Sequence, residues 1–397
     1  MTAVTLESRP DGVPVGTAAA DVVAFRAGPL PALLERAARA TDGDVARALA
    51  SRHRTANDFA ALLSPAAGAP GRLEDLAAAA HETTVRRFGR VVRMFAPLYL
   101  SNECVSTCTY CGFSAGNDVV RRTLSVDEVR AEARALLARG FRHVLLVAGE
   151  HARIVSKDYL VDCVRALAPE VPSVSVEVQV WDTATYRRLV DAGCEGLVVY
   201  QETYDPGTYA AVHLKGKKRN YDWRLAAPDR GAEAGMRRLG IGALLGLHGD
   251  WRAEALVLAA HAHALLRRWW RCDLTVALPR LRPAAGEYEP AHPLADAGLV
   301  QLLCALRLYL PDVGVSLSTR EPPGLRDALV PLGVTQLSAG SHTEPGGYTA
   351  ASDAGAQFEV SDTRMPAEVA ATLRGSGYEP VWIDTIGARR LRHDPSP

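Results

Sequence analysis

Three cysteines, Cys104, Cys108 and Cys111, stand in a C-x3-C-x2-C spacing within the run Ser101-Asn-Glu-Cys-Val-Ser-Thr-Cys-Thr-Tyr-Cys-Gly-Phe113. Three thiolates on one short loop can hold three corners of a cubane [4Fe–4S] cluster. No fourth cysteine stands close in sequence, so one iron would keep a position open for another ligand. Tyr110 and Phe113 give the loop an apolar, water-poor wall. A structural zinc is the other reading of the same residues. Zinc asks for a closed tetrahedral set, and the nearest downstream histidine, His143, lies well outside the loop.

Further candidates are spread along the chain. Arg320 can fork onto a carboxylate, unless an ion pair with Glu321 or Asp327 occupies it. Ser338 can add a hydroxyl donor, and Tyr99, just before the cysteine loop, can accept from an amine. One cation and two small polar groups of this kind suit an α-amino acid.

Such scattered residues need a fold that gathers them. After Arg90, short apolar runs alternate with helical periods. The runs are 91–100, 143–149, 174–180, 196–200, 239–247, 274–278, 314–318 and 335–338. The helical stretches are 125–139, 157–167, 183–192, 222–235, 251–270, 294–310 and 323–332. This alternation is the pattern of an α/β chain whose parallel sheet closes into a (β/α)8 TIM-type barrel. Ser125 and Glu128 form a capping-box pattern, and Gly140 and Gly193 stand where left-handed helix stops belong. In such barrels chemistry sits at the C-terminal ends of the strands. The cysteine loop, Gly149 and Glu150, Glu177 and Gln179, 200–204, 244–248, 279–283, 318–321 and 338–341 all fall there.

The expected organisation is an N-terminal helical extension over 1–90, the barrel over 91–345, and a C-terminal segment over 346–397 that packs on the barrel as a cap. Within the extension, 33–38 and 72–80 read as amphipathic helices, and the extension is expected to pack on the main domain and also to cover the barrel.

Composition narrows the partners. Lys+Arg and Asp+Glu number 45 each in 397 residues. Nothing in that balance argues for a nucleic-acid or membrane-surface partner. The odd cysteine count, seven, suggests a reducing compartment. Cys163, Cys194, Cys272 and Cys304 read as core filler. Glu7, Arg9 and Asp11 interrupt any signal-peptide pattern, and the most apolar helical run, 253–266, is too short to span a bilayer. The expected location is cytoplasmic. Lys215, Lys217 and Lys218 read as a basic loop patch, for docking or for solubility alone.

The C-x3-C-x2-C loop with its neighbouring aromatic resembles the signature loop of radical S-adenosylmethionine (SAM) enzymes. Longer strings extend the likeness: Pro97-Leu-Tyr-Leu-Ser-Asn-Glu-Cys104, Cys108-Thr-Tyr-Cys-Gly-Phe-Ser114, Val199-Tyr-Gln-Glu-Thr-Tyr204, His213-Leu-Lys-Gly-Lys-Lys218, Pro279-Arg-Leu-Arg-Pro283, Leu317-Ser-Thr-Arg-Glu321 and Pro345-Gly-Gly-Tyr348. Together they resemble the aromatic amino acid lyases of the radical SAM class, above all the tyrosine-cleaving branch that serves thiamine thiazole biosynthesis. The likeness runs from about residue 90 to about residue 383.

The resemblance implies two cofactors, a [4Fe–4S] cluster on Cys104, Cys108 and Cys111 and SAM chelated to its open iron. It implies that Gly149 and Glu150 receive the SAM amine, that Arg224 receives its carboxylate, that Glu177 accepts from the ribose hydroxyls, and that Tyr110 walls the cofactor. The backbone of 242–246 is an expected bed for adenine. The bland readings are a strand-end turn with a surface glutamate at Glu150 and a solvated helix-face charge at Arg224. The implied reaction is cleavage of the Cα–Cβ bond of L-tyrosine to 2-iminoacetate (dehydroglycine) and p-cresol through a 5′-deoxyadenosyl radical. Arg320, Ser338 and Tyr99 would place the amino acid, and Glu202, Gln201 or a nearby hydroxyl would meet the phenol. An electron donor such as flavodoxin or ferredoxin, and a thiazole synthase partner, are implied with it. The tryptophan lyase that makes 3-methyl-2-indolic acid is the sister alternative; it lacks the Thr-Tyr-Cys-Gly-Phe-Ser and Leu-Lys-Gly-Lys-Lys runs kept here. A non-catalytic, metal-stabilised barrel is the distant one.

Overall fold

The computed structural model describes residues 14–382 apart from Glu287. Glu7, Arg9 and Asp11, and the end of the expected C-terminal segment from residue 383 onward, lie outside the described residues.

Eight strands form the barrel: β1 (Val91–Ser101), β2 (His143–Ala148), β3 (Ser173–Glu177), β4 (Gly196–Glu202), β5 (Arg238–Ala243), β6 (Asp273–Ala277), β7 (Gly314–Leu317) and β8 (Gln336–Ser338). Each pairs in parallel with the next, and β8 pairs back onto β1, so the sheet closes. A short ninth strand, β9 (Glu379–Val381), pairs in parallel with the first residues of β1. The period of two along β1 shows why the sequence alternates. Met94, Ala96, Leu98 and Leu100 join the large core between barrel and helices. Phe95, Pro97 and Tyr99 point inward and line the central cavity.

The crossovers are helical, and their ends follow the local chemistry. Ser125 Oγ accepts from the Glu128 amide, while Glu128 reaches back to the Ser125 amide at 2.7 Å. Gly140 and Gly193 adopt φ of +99° and +113°. The expected helix 222–235 is instead two helices, Tyr221–Leu225 and Ala227–Glu233, broken at Ala226. Pro228, in the first turn of the second helix, explains the break: proline donates no amide, so the i→i−4 bond back to the Arg224 carbonyl is missing.

The helical extension lies elsewhere than over the barrel mouth. Its five helices, between Ala18 and Phe88, pack on the outer flank formed by the helices Trp251–Arg268 and Asp296–Tyr309. The amides of Ala18 and Ala19 donate to the Asp229 carboxylate at 3.0 and 3.2 Å. Gln301 donates to the carbonyls of Leu62 and Ser64 at 3.0 and 2.8 Å. Phe59 stacks on Tyr309 with centroids 4.6 Å apart.

The mouth is covered instead by the irregular segment after β8. Arg326, fully buried, pairs with Asp362 and donates to the Ser338 carbonyl, and Arg364 bridges Asp327 and Asp362. These links draw the segment across the rim, where Thr343, Gln357 and Phe358 join the cavity wall. The expected boundary at residue 345 therefore passes through the site.

Candidate active site

The cysteine loop is fixed from four directions. Arg121 donates to the carbonyls of Asn102, Phe113, Ser114 and Asn117 at 2.7 to 3.1 Å. Gly149, at the end of β2, lets the loop in: a Cβ there would sit 2.3 Å from the Glu103 carbonyl oxygen. Gly112 does the same on the other side, where a Cβ would meet the Ala356 oxygen at 2.1 Å. A strap over 212–218 completes the frame, with Thr109 donating to the Val212 carbonyl and Thr107 to that of Lys215. Cys108 is buried, Cys104 and Cys111 are partly buried, and Cys111 lies on the cavity wall. Burial pushes all three thiols up, while the ammonium of Lys218 works in the opposite direction. Among the described residues no three His, Cys, Asp or Glu side chains are already gathered around a single metal position. Three thiols on one loop, one of them on the cavity wall and all near the Lys218 ammonium, are a donor set suited to a cluster with one open corner.

Tyr110 packs its ring against the cavity, and its hydroxyl lies 2.8 Å from His213 Nε2. His213 Nδ1 meets the Tyr209 carbonyl at 2.9 Å, which can only accept, so Nδ1 carries the proton and Tyr110 donates to Nε2. Burial, with Lys218 adding to it, holds His213 at about 3, hence neutral.

Beside the loop lies a buried network of two acids and two bases. Arg224 is 6 % exposed. It donates to the Tyr200 carbonyl at 2.7 Å and stands 3.3 Å from Glu150 and 3.6 Å from Glu202. Ser106 Oγ donates to Glu150 at 3.3 Å. Lys218 Nζ lies 2.7 Å from Glu202. Neither bland reading, a surface glutamate at Glu150 or a solvated Arg224, matches this burial. Lys218 likewise leaves the expected basic patch: burial opposes its ammonium, but Glu202, Cys108 and Glu150 together hold the charge. Glu202 is the one non-glycine residue with positive φ, +71°, among the described residues, at a register shift between β4 and β5. Such a bulge at a barrel rim re-aims a side chain, here toward Lys218 and Arg224.

The opposite half of the cavity presents a different set. The Arg320 guanidinium lies 3.4 Å from the Phe358 ring centroid. The acids expected to compete for it are taken elsewhere, Glu321 by Arg280 and Asp327 by Arg364. Among the described residues Arg320 has no ion pair. Ser338 Oγ and Ser341 Oγ, both on the cavity wall, are buried with no hydrogen-bond partner among the described residues. Tyr99 donates its hydroxyl to Gln357 Oε1 at 2.7 Å, which leaves its oxygen able to accept. Glu177 lines the cavity between the two halves, and burial with the nearby charge of Glu202 raises it to about 7.

Two sequence expectations shift. Of the 242–246 run expected to bed adenine, Leu244 lines the cavity, while the Ala277 carbonyl and the Tyr200 ring occupy the space beside Gly242. Of the residues expected to meet a phenol, Glu202 lines the cavity with its Oε1 held by Lys218 and Arg224, whereas Gln201 is not on the cavity wall: its Nε2 turns to the Tyr221 carbonyl and its Oε1 is buried with no partner among the described residues. Sequence reading missed Lys218, Ser341, Gln357 and Phe358 as cavity residues. Lys218 and Ser341 lay in strings already singled out.

A closed parallel (β/α)8 barrel with a three-cysteine loop after its first strand is the frame of a radical SAM enzyme. The model of the Radical SAM superfamily matches residues 98–259, and that of the Biotin and Thiamin Synthesis associated domain matches 277–379. The chain is 45 % identical to 2-iminoacetate synthase of Escherichia coli over 87 % of its own length and 91 % of that protein. It is 43 % identical to the Salmonella typhimurium protein of the same name over the same shares. Among solved structures it is similar to the FeFe-hydrogenase maturase HydG from Carboxydothermus hydrogenoformans, with a TM-score of 0.86 at 31 % identity, covering 94 % of this chain and 87 % of that one. The chain belongs to the 2-iminoacetate synthase family of radical SAM lyases. Its cofactors are those of that class, a [4Fe–4S] cluster and SAM. Among the described residues no helix is long and apolar enough to cross a membrane.

Proposed function

We propose that the protein cleaves the Cα–Cβ bond of L-tyrosine to 2-iminoacetate and p-cresol, in the cytoplasm, as the supplier of a thiazole synthase. Flavodoxin or ferredoxin is the proposed electron donor. The observation that carries this reading is Arg320: a partly buried guanidinium on the cavity wall with no ion pair among the described residues, on the same wall as two unpartnered serine hydroxyls.

When bound, the cluster and SAM on Cys104, Cys108 and Cys111 supply the 5′-deoxyadenosyl radical. The chain's own work is placement. Arg320 forks onto the substrate carboxylate, and the Phe358 ring behind it fixes the plane of the fork. Ser338, with Ser341, donates to the same carboxylate. Tyr99 accepts from the α-amine, since its own proton goes to Gln357. These contacts turn the nitrogen, rather than Cβ, toward the reacting carbon of the radical. Glu150 and Arg224 pair with each other at 3.3 Å, and a zwitterionic methionine moiety would replace that contact, its amine taking Glu150 and its carboxylate Arg224. Gly149 brings Glu150 and the cysteine loop together, Tyr110 walls the cofactor side, and Glu177 is placed to accept from ribose hydroxyls. The covering segment keeps water from 2-iminoacetate, which hydrolyses.

Anaerobic turnover with SAM, tyrosine and dithionite tests this reading, with p-cresol and glyoxylate, the hydrolysis product of 2-iminoacetate, as readouts. Formation of 5′-deoxyadenosine without either product would remove it.

A further inference from the structure

The strap that frames the cysteine loop has an outer face with no role in the site. Leu214 donates its amide to the Thr107 carbonyl at 3.2 Å, and Thr107 donates back to that of Lys215. Gly216, at φ +90°, lies so close that a Cβ would meet Ser106 Oγ at 2.3 Å. On the other side of the loop, Val105 donates to the Glu150 carbonyl at 2.9 Å, and Ile154 follows a few residues on. Val105, Ile154 and Leu214 are 44 %, 39 % and 51 % exposed. They are three of the nine large apolar side chains exposed among the described residues, and all three sit on segments hydrogen-bonded to this loop or just beyond one. Such grouping is unusual for side chains that only meet solvent.

Charge singles out the same face. Lys215, Lys217, Arg219 and Arg153 are exposed, and none has an ion pair among the described residues. Lys217 lies 5.9 Å above the Trp181 ring. The neighbouring acid Asp158 is taken by Arg188 at 2.6 Å. Lys218, the one buried lysine of the strap, turns inward to Glu202, so inner and outer lysines do separate work.

We infer that this face, an apolar centre of Val105, Ile154 and Leu214 within a basic rim, docks an acidic one-electron carrier protein over the cysteine loop. The inference rests on the radical SAM reading above. Apolar contact supplies the hold, and the opposite charges speed and orient the encounter. One electron then leaves the reduced carrier, which is oxidised by one, and reduces the cluster by one. Val105 is the covalent neighbour of the ligand Cys104, so the docked carrier faces the shortest route through the chain.

The test compares Lys215→Glu/Lys217→Glu with a matched reversal at the barrel base, Arg237→Glu/Arg271→Glu, where both arginines are exposed. The first readout is the affinity of an acidic flavodoxin for the cluster-loaded protein, titrated at low and high salt. The strap variant is expected to bind about tenfold or more weakly at low ionic strength, with the gap closing as salt screens the charges. The base variant is expected to bind as the wild type. The second readout is SAM cleavage driven by reduced flavodoxin against dithionite, where the strap variant should fall only with flavodoxin. Unchanged flavodoxin affinity in the strap variant overturns the inference. So does an equal loss with dithionite, which would assign the lysines to the site itself, or an effect seen only on coupling to a thiazole synthase. Failure of the wild type to cleave SAM with dithionite would instead overturn the functional reading beneath it.

Discussion

Replacing Arg320 with lysine isolates the proposed anchor, because it keeps the charge and removes the fork. The guanidinium can give two parallel hydrogen bonds to a carboxylate, whereas an ammonium offers a point charge. One charge-assisted hydrogen bond is worth roughly 1.5–3 kcal/mol. The stack on Phe358, at 3.4 Å from the ring centroid, is also lost, a further contribution of about 0.5–1 kcal/mol. Together these come to roughly 2–4 kcal/mol, or about 30- to 1,000-fold in tyrosine affinity at about 1.4 kcal/mol per tenfold. SAM affinity should be spared, since the Glu150–Arg224 pair belongs to the network beside the cysteine loop. The loosened substrate should also uncouple the reaction, giving 5′-deoxyadenosine in excess of p-cresol. Equilibrium binding of tyrosine and of SAM, with both products quantified anaerobically, makes the comparison. An Arg320→Lys protein that loses SAM affinity but keeps tyrosine affinity would refute the assignment.

Alanine at Cys104, Cys108 or Cys111 should abolish iron loading beyond a residual cluster, and alanine at Cys163, Cys194, Cys272 or Cys304 should not; a cluster that survives loss of two of the first three contradicts this. Gly149→Ala would place a Cβ 2.3 Å from the Glu103 oxygen, and overpacking of this kind typically costs about 1–3 kcal/mol. Reconstituted iron content should drop, while Gly116→Ala, with open space around it, serves as the control that keeps its iron. Glu177, raised from 4.5 to about 7 in the fold, ionises first in the unfolded chain. Its contribution to stability is therefore full below pH 4.5, falls as pH rises, and is gone above about 7. Glu177→Gln should accordingly stabilise the cofactor-free protein at pH 8 relative to pH 5, by on the order of 2–3 kcal/mol. Urea midpoints at the two pH values check it, and a pH-independent difference between variant and wild type would count against it.

The barrel was legible because its signals are local. Each strand core is a short apolar run, the helix starts carry caps such as Ser125 with Glu128, and the cysteine loop is contiguous. Tyr99, Arg320 and Ser338 were legible as strand-end residues because the rim of a barrel collects them whatever their distance in sequence. What escaped depends on pairing across the fold. Nothing in a lysine run says that Lys218 turns inward while Lys215 and Lys217 stay out; that follows from Glu202, which a bulge and a positive φ aim at it. Gln357 and Phe358 lie in a segment without periodicity, drawn over the mouth by Arg326 and Asp362. The N-terminal helices carried a clear amphipathic pattern, but a pattern shows that a face is buried and not against what. They cover the flank, and the irregular segment covers the mouth.

The most direct test sets tyrosine and tryptophan side by side under anaerobic turnover with SAM and a strong reductant. The account predicts p-cresol and glyoxylate from tyrosine. Formation of 3-methyl-2-indolic acid or skatole from tryptophan, faster than p-cresol from tyrosine, would contradict it.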